Sequence, residues 1–119
     1  MLVNYRDEYK KIAMGLLSFI PDLKDLSHLN SEMAWYQQSA NRPMYLWRNA
    51  DEHLIGIVCL EIGDEYVLIR RLSFTPSDRT GRNIFALLNA VHDKYSEKKL
   101  VGTMETQPLI TNWGKTLNG

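Results

Sequence analysis

Residues 69–91 read IRRLSFTPSDRTGRNIFALLNAV. An apolar run of strand character stops at Thr75 and Pro76, a polar loop carries Arg79, Gly81 and Arg82, and Ile84, Leu87, Leu88 and Val91 then recur at the spacing of one helix face. A strand that feeds a helix through such a loop leaves the first helical amides unpaired and aimed at whatever lies ahead of them, which suits an anion. Arg79 and Arg82 add fork-shaped donors matched to phosphate, and Gly81 lets backbone approach a ligand closely. The plainer alternative is a helix start with solvated arginines.

Working outward, the stretch upstream changes period. Met44 to Arg48, Leu54 to Ile62 and Tyr66 to Phe74 alternate with period two and predict three strands, joined by turns at Asn49 to Glu52 and at Gly63-Asp64. LIGIVCLEI is apolar on both faces, so it should be a central strand covered on both sides. Residues 39–43 read as a loop. Before it, a short β-prone segment, Met1 to Tyr5, precedes a helical stripe of Tyr9, Ile12, Ala13, Leu16 and Leu17. Pro21 breaks that stripe, Asp22 is placed to cap the next helix, and Leu26, Leu29, Met33 and Tyr36 carry that second helix to about Gln38.

Downstream, the helix opened by the loop should run from about Gly81 to Tyr95, with a strand at 100–104 and a last short helix from Gln107 to Trp113. The order is that of a mixed α/β domain, with a central mixed sheet of about five strands and helices on both sides. The three hairpin strands should be antiparallel, and the strand-helix-strand crossover of residues 67–104 should make its two strands parallel.

The 119 residues, with 45% hydrophobic content, suit one compact domain spanning 1–119. Fourteen Lys plus Arg balance fourteen Asp plus Glu, so no global field draws the chain to nucleic acid or anionic lipid, and an anion site must be local. Arg70 and Arg71, just upstream of the loop, would add to that local positive charge. Cys59 has no internal partner for a disulfide, and no apolar run approaches the roughly 20 residues of a membrane span, so a soluble cytoplasmic protein is expected.

P-loop, Rossmann, zincin, CxxC and EF-hand signatures are absent. His28, His53 and His92 fall on separate elements and give no metal set, so no metal is expected. Cys59 lies in the most apolar strand and reads as a buried, inert thiol. Trp35, Tyr36, Tyr45 and Trp47 read as core or as a partner surface; a flavin-like acceptor would be sought at this helix and strand first.

With those residues in place, the segment resembles the acetyl-coenzyme A site of the GCN5-related N-acetyltransferase (GNAT) superfamily. The family pattern is an apolar residue, x, Val, x, Pro, x, x, Arg or Gln, x, x, Gly, x, Gly or Ala. Leu72, Phe74, Pro76 and Arg79 occupy the first four positions, Arg82 and Ile84 the two small ones, and Gly81 sits one place early. KIAMGLLSFIP (11–21), MYLW (44–47) and IRRLSFTPSDR (69–79) are also similar to the acetyltransferase-like proteins encoded in riboflavin operons of Gram-positive bacteria. The resemblance implies that the strand ending at Phe74 splays from the strand at 100–104 to admit pantetheine. It also implies that backbone groups of Leu72, Ser73 and Phe74 bind the pantetheine and polarise the thioester, and that pyrophosphate meets Arg79, Thr80, Gly81, Arg82, Asn83 and Ile84.

The implied activity is acetyl-CoA-dependent N-acetyl transfer to a small amine in a riboflavin biosynthesis setting. Leu68 stands where several members carry a glutamate base, and Trp113 where a tyrosine acid is frequent. Glu61 and Glu65, flanking the second hairpin, are the substitute carboxylates, with Glu105 behind them; Tyr66 and Tyr45 are substitute donors. The alternative is a CoA-binding regulatory module of weak or lost activity. Fifteen residues follow Met104, room for little beyond one helix, so the acceptor side should be open or completed by a second chain, as in a homodimer.

Overall fold

The computed structural model describes residues 1–118. The elements are β1 (Leu2–Asn4), α1 (Lys10–Leu17), α2 (Leu26–Gln37), β2 (Met44–Arg48), β3 (Leu54–Ile62), β4 (Tyr66–Phe74), α3 (Gly81–Lys94), β5 (Lys99–Gly102) and α4 (Gln107–Asn118). The sheet runs β1-β2-β3-β4-β5, antiparallel except at β4 and β5, which pair parallel through the α3 crossover. The mixed α/β architecture expected from the sequence is therefore the one observed.

β3 is central because both its faces are apolar. Val58 and Leu60 join Ile84, Leu87, Leu88, Ile110 and Trp113 beneath α3 and α4. Ile57 and Cys59 join Leu16, Leu17, Leu29 and Met33 beneath α1 and α2. Burying each such side chain contributes on the order of 1.5–3 kcal/mol, so the two layers fix which face each helix covers.

Three details depart from the sequence expectation. α2 is capped by Asp25, which accepts from the Ser27 and His28 amides at 2.9 and 3.2 Å. Asp22 instead lies in a 3-10 turn at Pro21–Leu23, because the proline there starts a turn of its own. β5 stops at Gly102 rather than 104, because Thr103 and Thr106 exchange amide-to-hydroxyl bonds and turn the chain into α4, which runs past Trp113 to Asn118.

The third departure is a β-bulge. Ile69 pairs with Leu60 and Arg71 with Cys59, so Arg70 is an extra residue in β4. An extra residue shifts the alternation by one. Val67 and Ile69, then Leu72 and Phe74, consequently all face α3 and α4. Arg70 and Arg71 both reach residues on the opposite side.

Candidate active site

The β4–β5 ladder ends at the pair Ile69 and Gly102. Beyond it β4 continues through Phe74 with β3 on one side and, among the described residues, no strand on the other. Thr106 Oγ1 donates to the Ile69 carbonyl at 2.7 Å, which satisfies the first group the ladder would otherwise strand. The gap is a cleft of about 250 Å³. Arg71, Leu72 and Ser73 form one wall, Glu105, Thr106 and Leu109 the facing wall, Phe19 to Pro21 a third side, and Arg79 borders it as well. The Ser73 hydroxyl donates to the Leu16 carbonyl at 2.7 Å, anchoring the end of β4 to α1.

α3 begins beside this cleft. Thr80 caps it, its hydroxyl accepting the Asn83 amide at 3.2 Å, while the Ile84 amide makes the first intrahelical bond to Thr80. The Gly81 and Arg82 amides precede that bond and are left as donors. A Cβ at Gly81 would meet nothing within 4 Å, so packing does not require the glycine there; its absence leaves the backbone uncovered. Arg79 is exposed, with its guanidinium donating to the Phe74 carbonyl at 3.1 Å and lying 5.9 Å from the Phe19 ring. Arg82 is exposed.

On the α2 side of β4, Arg71 gathers three carboxylates. Its Nε and Nη2 donate to Glu32 at 2.8 and 2.9 Å, Nη2 and Nη1 to Asp22 at 2.7 and 3.0 Å, and Nη1 to Glu105 at 3.2 Å. The bonds from Arg71 hold the Asp22 carboxyl below its ordinary value, and those to Glu32 first, then Asp22, push the guanidinium further up. Tyr36 donates to Glu32 at 3.1 Å. Two further hollows lie on this side. One of about 430 Å³ is bordered by Asp22, His28, Glu32, Trp35 and Arg70. Another of about 210 Å³ is bordered by Arg70, Arg71, Thr103, Met104 and Glu105. Arg71 and Glu105 thus border both the β4–β5 cleft and the space across the bulge.

No family model matches the sequence. An uncharacterised N-acetyltransferase encoded in the lysA 3′ region of Bacillus methanolicus is 36% identical over 111 residues, 92% of each chain. This chain belongs to the N-acetyltransferases of the GNAT superfamily. The GNAT fold is shared with solved enzymes of low identity. The aminoglycoside 6′-N-acetyltransferase AAC(6′)-Ih of Acinetobacter baumannii superposes with a TM-score of 0.70 at 14% identity, covering 100% of this chain and 88% of that one. AAC(6′)-Iy, solved with a bisubstrate analogue of CoA and acetylneamine, superposes at 0.67 with the same identity and coverage.

Within this GNAT chain, the two departures from the superfamily pattern do not fill the cleft mouth. The Ile84 side chain is buried in the core under α3, and Arg82 projects to solvent. Leu72 and Ser73 line the cleft, whereas the Phe74 ring is fully buried behind it. Asn83 turns its amide onto the Asp78 carbonyl at 2.8 Å. Arg70 and Arg71 do not add positive charge near the α3 start as expected: the bulge turns them to the other face, where acidic residues neutralise them.

The carboxylates singled out from the sequence are not brought together. Glu61 accepts from Arg70 Nη1 at 3.0 Å, on the α2 side. Glu65 is exposed on the β3–β4 hairpin, at the opposite end of β4 from the cleft wall. The Trp113 indole donates to Asn89 at 2.8 Å inside the α3–α4 contact. Leu109, not Trp113, is the α4 side chain on the cleft. Tyr45 pairs hydroxyl to hydroxyl with Tyr95 at 2.8 Å, and Tyr66 is exposed at the hairpin. The Trp35 ring already carries Arg42 at 3.9 Å and Arg70 at 4.5 Å, so a stacked flavin-like ring would have to displace a guanidinium. Asp22, read from the sequence as a helix cap, and Glu32 gave no sequence signal of their contact with Arg71, since they lie 49 and 39 residues from it.

Proposed function

We propose that this protein transfers an acetyl group from acetyl-CoA to a small amine, with the pantetheine arm in the β4–β5 cleft. The observation that carries this reading is the parting of β4 and β5 at Ile69 and Gly102, directly beside the start of α3. Pyrophosphate would meet the Gly81 and Arg82 amides, with Thr80, Asn83 and Ile84 setting the backbone of that turn and Arg79 and Arg82 supplying charge. Backbone groups of Leu72, Ser73 and Phe74 would hold the arm and polarise the thioester carbonyl, a role that survives changes of side chain. The amine would approach from the α2 side, where Arg70, Glu61 and Glu32 stand.

The setting we infer is riboflavin metabolism in the cytoplasm, on the resemblance of residues 11–21, 44–47 and 69–79 to the RibT proteins of riboflavin operons. A second reading is a CoA-binding module without chemistry. It is favoured by Leu68, by Trp113 being tied to Asn89, and by Glu61 being held by Arg70. Two measurements separate the readings: calorimetric titration with CoA and acetyl-CoA, and release of CoA thiol from acetyl-CoA across a panel of primary amines. Binding with turnover supports transfer. Binding without turnover supports the module, and absence of binding refutes both.

A further inference from the structure

Three carboxylates surround Arg71, and they are held unequally. Glu32 accepts two bonds at 2.8 and 2.9 Å, and its side chain is 19% exposed. Asp22 also accepts two, at 2.7 and 3.0 Å. Glu105 accepts one, at 3.2 Å, and its side chain is 65% exposed. An exposed pair with a single bond contributes little, and if it breaks Arg71 keeps four other bonds. Of the three, only Glu105 borders the cleft opposite Leu72 as well as the hollow across the bulge. Its backbone is fixed, because the next residue, Thr106, is tied to Ile69.

We propose that Glu105 is the catalytic carboxylate of the transfer, held by Arg71 until the ammonium of the acceptor takes the place of the guanidinium beside it. This rests on the transferase reading above. The acceptor enters as an ammonium and gives one proton to Glu105, which passes it to water. The neutral nitrogen then attacks the thioester carbon, forming the C–N bond while the carbonyl electron pair moves to oxygen. As the carbonyl reforms, the C–S bond breaks with its electrons on sulfur, and the second nitrogen proton ends on that thiolate. The products are the amide, CoA thiol and one proton released to solvent. Arg71 is a positioning residue in this scheme: held by Glu32 and Asp22, it keeps Glu105 at the cleft until the ammonium arrives.

The test compares wild type, Glu105→Gln and Glu105→Asp by calorimetric titration with CoA and by acetyl-CoA turnover on the amine panel. The expected result is that all three still bind CoA, with a fall in kcat/KM of about 10²-fold or more for E105Q at saturating acetyl-CoA and partial recovery in E105D. Wild-type turnover with E105Q retaining kcat/KM within about threefold overturns the role of Glu105 and leaves the transferase reading standing. A wild type that binds CoA but turns over no amine overturns it in favour of the module, and one that binds no CoA overturns both.

Discussion

The Thr106 hydroxyl donates to the carbonyl of Ile69 at 2.7 Å, at the last β4 residue paired with β5. A continued parallel ladder would have given that carbonyl a backbone amide. Because a side chain takes the bond instead, the strands can part without leaving a buried acceptor unpaired. Thr106→Val removes the donor and keeps the shape. It should destabilise the fold by about 1–3 kcal/mol in denaturant unfolding and weaken CoA binding, while Thr106→Ser should retain most of both.

Gly102 sits under the same turn. A Cβ there would come within 2.6 Å of the Gln107 amide nitrogen and 2.7 Å of Thr106 Oγ1. Backbone cannot swing away as a flexible side chain can, so Gly102→Ala should cost about 1–3 kcal/mol in denaturant unfolding and lower CoA affinity with it.

Arg71→Met leaves Glu32 with the Tyr36 hydroxyl as its remaining donor and an apolar stem beside it. The loss should be about 2–3 kcal/mol by chemical denaturation, short of the roughly 3–5 kcal/mol for a fully buried pair because Asp22 and Glu105 reach solvent. Adding Glu32→Gln to Arg71→Met should cost less than the sum of the two single changes, since the second removes the stranded charge.

Asp22 supplies a pH dependence of known sign. Its folded pKa is lowered from 3.8, chiefly by the bond from Arg71, so its stabilisation is present above that value and lost as pH falls through the lowered one. The stability difference between wild type and Asp22→Asn should be constant above about pH 5 and vanish in strong acid. A difference that grew on acidification would contradict the assignment.

Cys59 is fully buried, and burial, with Glu32 beside it, pushes its thiol well above the ordinary range. A thiol-specific reagent should find no reactive cysteine in the folded protein and one per chain after unfolding.

How far the sequence revealed the fold and the site depends on which interactions are local. The period-two runs at 44–74 and the helical spacing of Ile84, Leu87, Leu88 and Val91 are properties of neighbouring residues, and those elements appear where expected. The bulge is not read from the sequence, where 66–74 passes as one period-two run, although Val67 and Ile69 lie on odd numbers and Leu72 and Phe74 on even ones with the arginine pair between them. The cap at Asp25 escaped because two aspartates follow Pro21 within four residues and only the turn geometry separates them. Arg71 could not be placed beforehand, since Asp22, Glu32 and Glu105 reach it across 49, 39 and 34 residues of chain. Ile84 stands at a position of small residues in the family pattern, and its place in the apolar stripe of α3 sends its side chain into the core.

The central claim is that the space between β4 and β5 receives acetyl-CoA, with its pyrophosphate at the start of α3. Thermal unfolding of the wild type and of Arg82→Glu, each with increasing acetyl-CoA, tests it most directly. At a hundredfold excess over the dissociation constant the wild type should gain about 2.7 kcal/mol, and Arg82→Glu should need a markedly higher concentration for the same gain. A wild type whose unfolding is indifferent to acetyl-CoA at every concentration would contradict the account.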